Sequence, residues 1–139
     1  MAPVVVDASI VVKWVLPEPD RAAALQLLRQ SVTGEATLIA PVLVMAEASS
    51  ALSRRFRRKQ LTEEEARTAY QYLQRRRPTL VEDAKLLDDA MELSLRHQLS
   101  LWDCVYLALA IRWRANLATA DARFHRSVSR HYPFVELIK

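Results

Sequence analysis

Glycine is almost missing from this 139-residue chain, Gly34 being the only one. P-loops and dinucleotide fingerprints each need several glycines to bring backbone amides against a phosphate, so ATP, GTP and NAD chemistry of those kinds drop out. Cysteine is as scarce. Cys104 has no partner for an internal disulfide and lies in the apolar stretch "LWDCVYLALA", where it reads as a small buried hydrophobe and fits a reducing compartment. The three histidines, His97, His125 and His131, are scattered without ligand spacing, which argues against zinc. No apolar run approaches the roughly 18 residues that cross a bilayer. The first residues also lack the basic-then-apolar layout of a secretion signal, so a cytoplasmic protein with no membrane association is expected. With no internal repeat, low-complexity tract or linker, residues 1–139 are expected to form a single domain.

What the chain does contain is enough apolar material for a core: 51% of residues are hydrophobic and 26% charged. The net charge of +4 matters less than its distribution. "RRFRRK" at 54–59 and "RRR" at 75–77 are dense basic runs, and Arg112, Arg114, Arg123, Arg126 and Arg130 crowd the last third. Basic clusters attract phosphate backbones, although an arginine-rich helix face can also be merely solvated.

Periodicity predicts strands alternating with helices. "PVVV" at 3–6, "ATLIA" at 36–40, "TLVE" at 79–82, "NLATA" at 116–120 and "FVELI" at 134–138 read as short strands. Between them, Asp20 is expected to cap a helix after the breaker "LPEPD", and Pro41 to stand in the first turn of the helix "VLVMAEASSALSRRFRRK". Thr62 with Glu65 forms a capping box that opens another helix. Amphipathic "DAKLLDDAMELSLRHQ", then "LWDCVYLALAIRWR", and a short helix after Asp121 complete the set. The expectation is an α/β sandwich with a mostly parallel central sheet of four or five short strands flanked by helices. Trp14, Trp102 and Trp113, on mostly apolar helical stretches, are expected in the core or in a dimer interface rather than as base-stacking platforms. The "EEE" at 63–65, and Asp88 with Asp89, read as solvated faces.

Four apolar islands each carry one charge, and every one of those charges is acidic. They are Asp7 in residues 1–12, Glu47 in 36–53, Asp103 in 99–111 and Asp121 in 115–122. An ionised carboxylate among core-forming residues costs several kcal/mol unless compensated. Each has a structural reading. Asp7 and Asp121 can be helix N-caps, Asp103 can complete a capping box with Ser100, and Glu47 can meet a distant buried arginine. Together they point to a shared site. Asp7 and Asp121 lie at the carboxyl ends of expected strands, Asp103 at a helix start and Glu47 about two turns into a helix, and ligands of parallel α/β sheets gather at that edge. Clustered carboxylates need cations, and hard divalent ions, Mg2+ or Mn2+, suit oxygen ligands. Such an ion on a basic protein suits in-line phosphodiester hydrolysis, with arginines holding the flanking backbone.

At these residues the sequence resembles the PIN-domain family and, within it, the VapC-type ribonuclease toxins of bacterial and archaeal toxin–antitoxin modules. "VVVDASIVVKWVLPEP", "APVLVMAEASSAL", "LSLWDCVYLALA" and "LATADARF" resemble the family's four motifs in order, across nearly the whole chain. The resemblance implies that Asp7, Glu47, Asp103 and Asp121 are catalytic and hold Mg2+ or Mn2+, with Ser9 and Thr119 lining the site. It implies an endoribonuclease acting on structured RNA, transfer or ribosomal, that forms homodimers. A small VapB-like antitoxin is implied too, inserting a segment, often with an arginine, along a groove to the carboxylates. Arg54, Arg55, Arg57, Arg58, Arg112 and Arg123 are the candidates for RNA binding, and the four on the helix of Glu47 suit an acidic partner equally. Where the family often has a glycine before the fourth motif, this chain has Arg114 and Ala115, and Asn116 is expected to take the left-handed conformation instead. A housekeeping RNA-processing nuclease and a noncatalytic RNA-binding module are the alternatives. The second would be expected to have lost an acid, and all four are present. A haloacid-type phosphatase would have a second aspartate where Ser9 stands.

Overall fold

Val4, Val5 and Val6 carry no polar face, and such a run suits a strand covered on both sides. In the computed structural model, which describes residues 2–139, they lie in β1 (Pro3–Val6), the middle strand of the sheet. β1 pairs with β2 (Thr37–Pro41) on one side and β4 (Asn116–Thr119) on the other. β3 (Thr79–Val81) adds beyond β2 and β5 (Val135–Leu137) beyond β4, giving the order β3-β2-β1-β4-β5 with every neighbouring pair parallel. The chain leaves β1 towards β2 and later returns to β1's other side with β4. Val6 lies opposite Ala118 in register, so Asp7 and the turn after Thr119 emerge side by side where the strand order reverses, the usual ligand crevice of such sheets.

The helices among the described residues are α1 (Ala8–Lys13), α2 (Arg21–Val32), α3 (Leu43–Arg57), α4 (Glu63–Arg76), α5 (Lys85–His97), α6 (Leu101–Trp113) and α7 (Ala122–Val128). α6 is apolar around most of its circumference, as a buried helix should be. Cys104 and the run Tyr106–Ala110 are buried, and α6 touches β1, β2, β4 and α5. Burial pushes the Cys104 thiol up to about 11, with the Asp103 charge adding to the effect, as befits a packing residue. No helix among the described residues is long and apolar enough to cross a membrane.

Local signals read correctly where both partners are close in sequence. Thr62 Oγ1 accepts from the Glu65 amide at 3.0 Å, and Glu65 accepts from the Thr62 amide at 2.8 Å. Three expectations fail. Pro41 is the last residue of β2 instead of a helix residue, because β3 extends the ladder to the pair Pro41 and Val81, where a missing N–H matters least. Asp20 precedes α2 in the left-handed conformation with φ 61° and makes no side-chain cap. That turn is held by Arg21, which donates to the carbonyls of Lys13 and Trp14. Arg114, not Asn116, takes the left-handed position with φ 51°. The cost of about 1–2 kcal/mol is offset by the Ala115 amide bonding back to Ala110 at 2.9 Å, while Asn116 opens β4. Of the tryptophans, Trp14 joins the core, its indole donating to the Ala24 carbonyl, while Trp102 and Trp113 are exposed on this chain, outside the core half of the expectation.

Candidate active site at the carboxyl edge of the sheet

Asp7 ends β1 and caps α1, accepting from the Ile10 amide at 3.3 Å. Ser9 Oγ donates to Asp7 Oδ1 and Thr119 Oγ1 donates to Oδ2, each at 2.5 Å. Those hydroxyls are themselves held by the turn after β4. The Ala120 amide donates to Ser9 Oγ at 2.9 Å and the Asp121 amide to Thr119 Oγ1 at 3.1 Å. Two short relays therefore tie the ends of β1 and β4 through one carboxylate. At 7% exposure Asp7 is nearly sealed from solvent. Burial pushes its carboxyl up to about 6, the bonds from Ser9, Thr119 and Ile10 pull it back, and the Asp103 charge adds to the rise.

Asp103 lies in the first turn of α6. Ser100 is the N-cap but makes no side-chain cap bond, so the capping box that was the structural alternative for Asp103 is not formed. Partial burial raises its carboxyl to about 6, with the charges of Asp121 and then Glu47 contributing. Asp103 thus stands within electrostatic reach of the other three acids. Asp121 is exposed and caps α7, accepting from the Arg123 and Phe124 amides at 3.0 and 3.1 Å. Glu47, half-buried in α3, accepts from the Tyr106 hydroxyl at 2.5 Å, so its partner is a phenol where an arginine had been the structural alternative. Tyr106 is the functional candidate that the sequence reading missed. Its signal was there: it follows Asp103 by three, on the same side of one helix.

No ion pair among the described residues includes Asp7, Glu47, Asp103 or Asp121. The donor set is oxygen only, which suits a hard divalent cation and not zinc. Among the described residues no three acid, histidine or cysteine side chains are drawn together as tightly as a bound ion would draw them. Mutual repulsion of uncompensated carboxylates favours such spacing.

The six arginines fall into different settings. Arg55 pairs with Glu18 at 2.8 Å, and Arg57 bonds Ser53. Arg54 and Arg58 have no ion pair among the described residues, about 10–17 Å along α3 from Glu47. Arg112, near the far end of α6 from Asp103, is engaged by Asp89 at 2.7 Å and Asp83 at 3.7 Å. Arg123 is exposed beside Asp121 and is the one nearest the acids in sequence. Glu63 pairs with Arg67 and Asp89 with Arg112 on the surface, while Glu65 serves the capping box of α4.

None of the curated proteins compared matches this sequence. Solved structures do share the fold. A chain of a toxin–antitoxin complex from Klebsiella pneumoniae superposes with a TM-score of 0.66 at 14% identity, covering 98% of each chain. VapC20 from Mycobacterium tuberculosis, a toxin that cleaves the sarcin-ricin loop, gives 0.67 at 20% identity over 90% of this chain and 95% of its own. A protein from Pyrobaculum aerophilum gives 0.70 at 19% identity over 91% of this chain and 79% of its own. At such identities the likeness speaks for architecture. Sequence itself is matched by the model of the PIN domain over residues 4–128, a span that includes all four acids. The parallel five-stranded sheet, the acids at its carboxyl edge and that match agree: the chain belongs to the PIN-domain family.

Proposed function

We propose that the protein is a Mg2+- or Mn2+-dependent endoribonuclease of the VapC type, hydrolysing phosphodiester bonds in structured RNA as the toxin of a toxin–antitoxin pair. One observation carries this reading: at the sheet's switch point Asp103 feels the charges of Asp121 and Glu47 and adds its own to Asp7, with no arginine or lysine paired to any of the four among the described residues. Asp7, Glu47, Asp103 and Asp121 would hold the ion. A bound divalent cation would supply activation of water, charge neutralisation at a nonbridging phosphate oxygen and stabilisation of the leaving 3′ oxygen.

The chain's own residues prepare that chemistry. Ser9 and Thr119 fix both oxygens of Asp7, so this carboxylate loses little further freedom on binding. Asp103, raised to about 6, exchanges its proton near neutrality, and proton release there favours cation binding as pH rises. Arg123, with Arg54 and Arg58, would hold phosphates flanking the cut, whereas Arg55 and Arg112 are already engaged.

The named neighbours support the biological side: one is a chain of a toxin–antitoxin complex and another is a toxin that cleaves RNA's sarcin-ricin loop. A small VapB-like antitoxin would silence the enzyme by inserting a segment among the carboxylates. Homodimerisation would cover Leu87, Met91 and Leu95 on α5. The working compartment would be the cytoplasm, where RNA and antitoxin are found.

The test is cleavage of labelled RNA by purified protein with Mg2+ or Mn2+, wild type against Asp103→Asn. Cleavage by wild type alone is expected. Equal cleavage by both would remove the acidic site from the mechanism.

A further inference from the structure

Glu47 differs from the three aspartates in having one more methylene, and so one more torsion to freeze before its carboxylate is useful. Asp7 is fixed by two hydroxyls and Asp121 by its own helix amides. Glu47 sits inside α3 with no cap to make. Its one side-chain hydrogen bond among the described residues comes from Tyr106, which is also the only one that the phenol makes. Tyr106 is 2% exposed, with its ring in the core cluster and its backbone on the same helix as Asp103. A ring held in a close-packed interior cannot wander, so its hydroxyl is a fixed point in space.

We propose that Tyr106 is a positioning residue for Glu47: the core-held hydroxyl pins Oε1 and leaves Oε2 free to take a hard divalent cation beside Asp103. This rests on the metal-site reading above. A carboxylate oxygen can only accept and the phenol has a hydrogen to give, so the bond runs from Tyr106 to Glu47. The arrangement is that of an outer partner orienting a metal ligand, and loss of such partners weakens binding by about 10–100-fold. Helix α6 then serves the site twice, through the Asp103 carboxylate and, one turn later, through the group that aims the carboxylate of α3.

The experiment is calorimetric titration of the full chain with Mn2+ alone, using wild type, Asp103→Asn, Tyr106→Phe, Glu47→Ala and the double variant Tyr106→Phe/Glu47→Ala. Tyr106→Phe keeps the ring, and the half-exposed Glu47 can turn to water, so the variant folds; thermal melts in EDTA verify this. The expected result is roughly a tenfold loss of Mn2+ affinity in Tyr106→Phe and no further loss when it is added to Glu47→Ala. A hydroxyl that serves only the fold would lower the melting temperature without moving affinity. Wild-type-like affinity in Tyr106→Phe, or losses that multiply in the double variant, would overturn the positioning role while the metal site stands. A wild type that binds no Mn2+, or Asp103→Asn binding as well as wild type, would overturn the metal site and this inference with it.

Discussion

At the carboxyl edge of the sheet, Asp7, Glu47 and Asp121 stand within electrostatic reach of Asp103, and none of the four has an arginine or lysine partner among the described residues. Along α5, Leu87, Met91 and Leu95 form a row at i, i+4 and i+8 that is 56%, 48% and 66% exposed, and Trp102 at the start of α6 is 58% exposed. The first region crowds charge out of water and the second leaves apolar surface in it. Both placements oppose the stability of the isolated chain. Uncompensated carboxylates repel and lose hydration, and a contiguous apolar patch marks a surface meant to be covered. The proposed remedies differ in kind: a small hard cation for the edge, a second copy of the chain for the row. On that proposal each region is completed by a bound partner, and the two can be broken separately.

The largest effect belongs to the edge. Asp103→Asn removes the charge that stands within electrostatic reach of the other three acids, and a loss of several kcal/mol of charge stabilisation corresponds to cleavage falling on the order of a thousandfold. Gel analysis of labelled RNA at fixed Mg2+ measures it. The same variant is expected to keep the wild-type mass by light scattering, because the row on α5 is untouched.

Charging the row gives the converse. Met91→Glu with Leu95→Glu is expected to turn a dimer into a monomer, with affinity between copies falling at least tenfold, about 1.4 kcal/mol, by sedimentation. Mn2+ affinity should stay as in wild type. If it fell too, the two regions would share a site and the contrast drawn here would collapse.

A smaller effect separates function from stability at the edge. In EDTA at pH 7, Asp103→Asn is expected to stabilise the fold by about 1 kcal/mol, a fraction of what so raised a carboxyl would give were it wholly buried. The carboxyl titrates near 3.8 when free and near 6 in the fold, so the folded state retains the extra proton between those values. Stability from this group is therefore lost as pH rises through that window. The advantage of the variant should vanish below about pH 4, grow between 4 and 6 and level off above, which denaturant melts at several pH values will follow. A variant less stable than wild type at pH 7 in EDTA would mean that Asp103 is held by favourable contacts instead.

The smallest change distinguishes the arginines. Arg123→Ala should weaken RNA binding a few-fold and flatten its salt dependence by about one unit of slope, whereas Arg112→Ala should leave both unchanged because Asp89 and Asp83 already occupy that side chain. Filter binding at several salt concentrations decides between them.

The alternation of strands and helices was legible because Val4 to Val6, Leu117 to Thr119 and the apolar run of α6 carry their periodicity locally. Thr62 with Glu65 was legible because both halves of the capping box fall within four residues. The four acids stood out because each was the sole charge of an apolar island, a pattern that needs no coordinates. Pro41, Asp20 and Arg114 were misplaced because their conformations answer to partners elsewhere in space: β3 for the first, Arg21's bonds back to α1 for the second, the Ala115–Ala110 closure for the third. Trp102 was placed by the apolarity of its neighbours, and only helix phase shows that it points outward.

By itself, then, the sequence determined the kind of fold and which side chains carry uncompensated charge, since both follow from composition within short windows. Which of those charges share a neighbourhood was decided by the parallel register that sets Val6 against Ala118. Which hydroxyls serve them was decided the same way: Thr119 reaches Asp7 across 112 residues and Tyr106 reaches Glu47 across 59. Hydrogen bonds of that separation depend on the packing of whole elements, and no local window contains both ends.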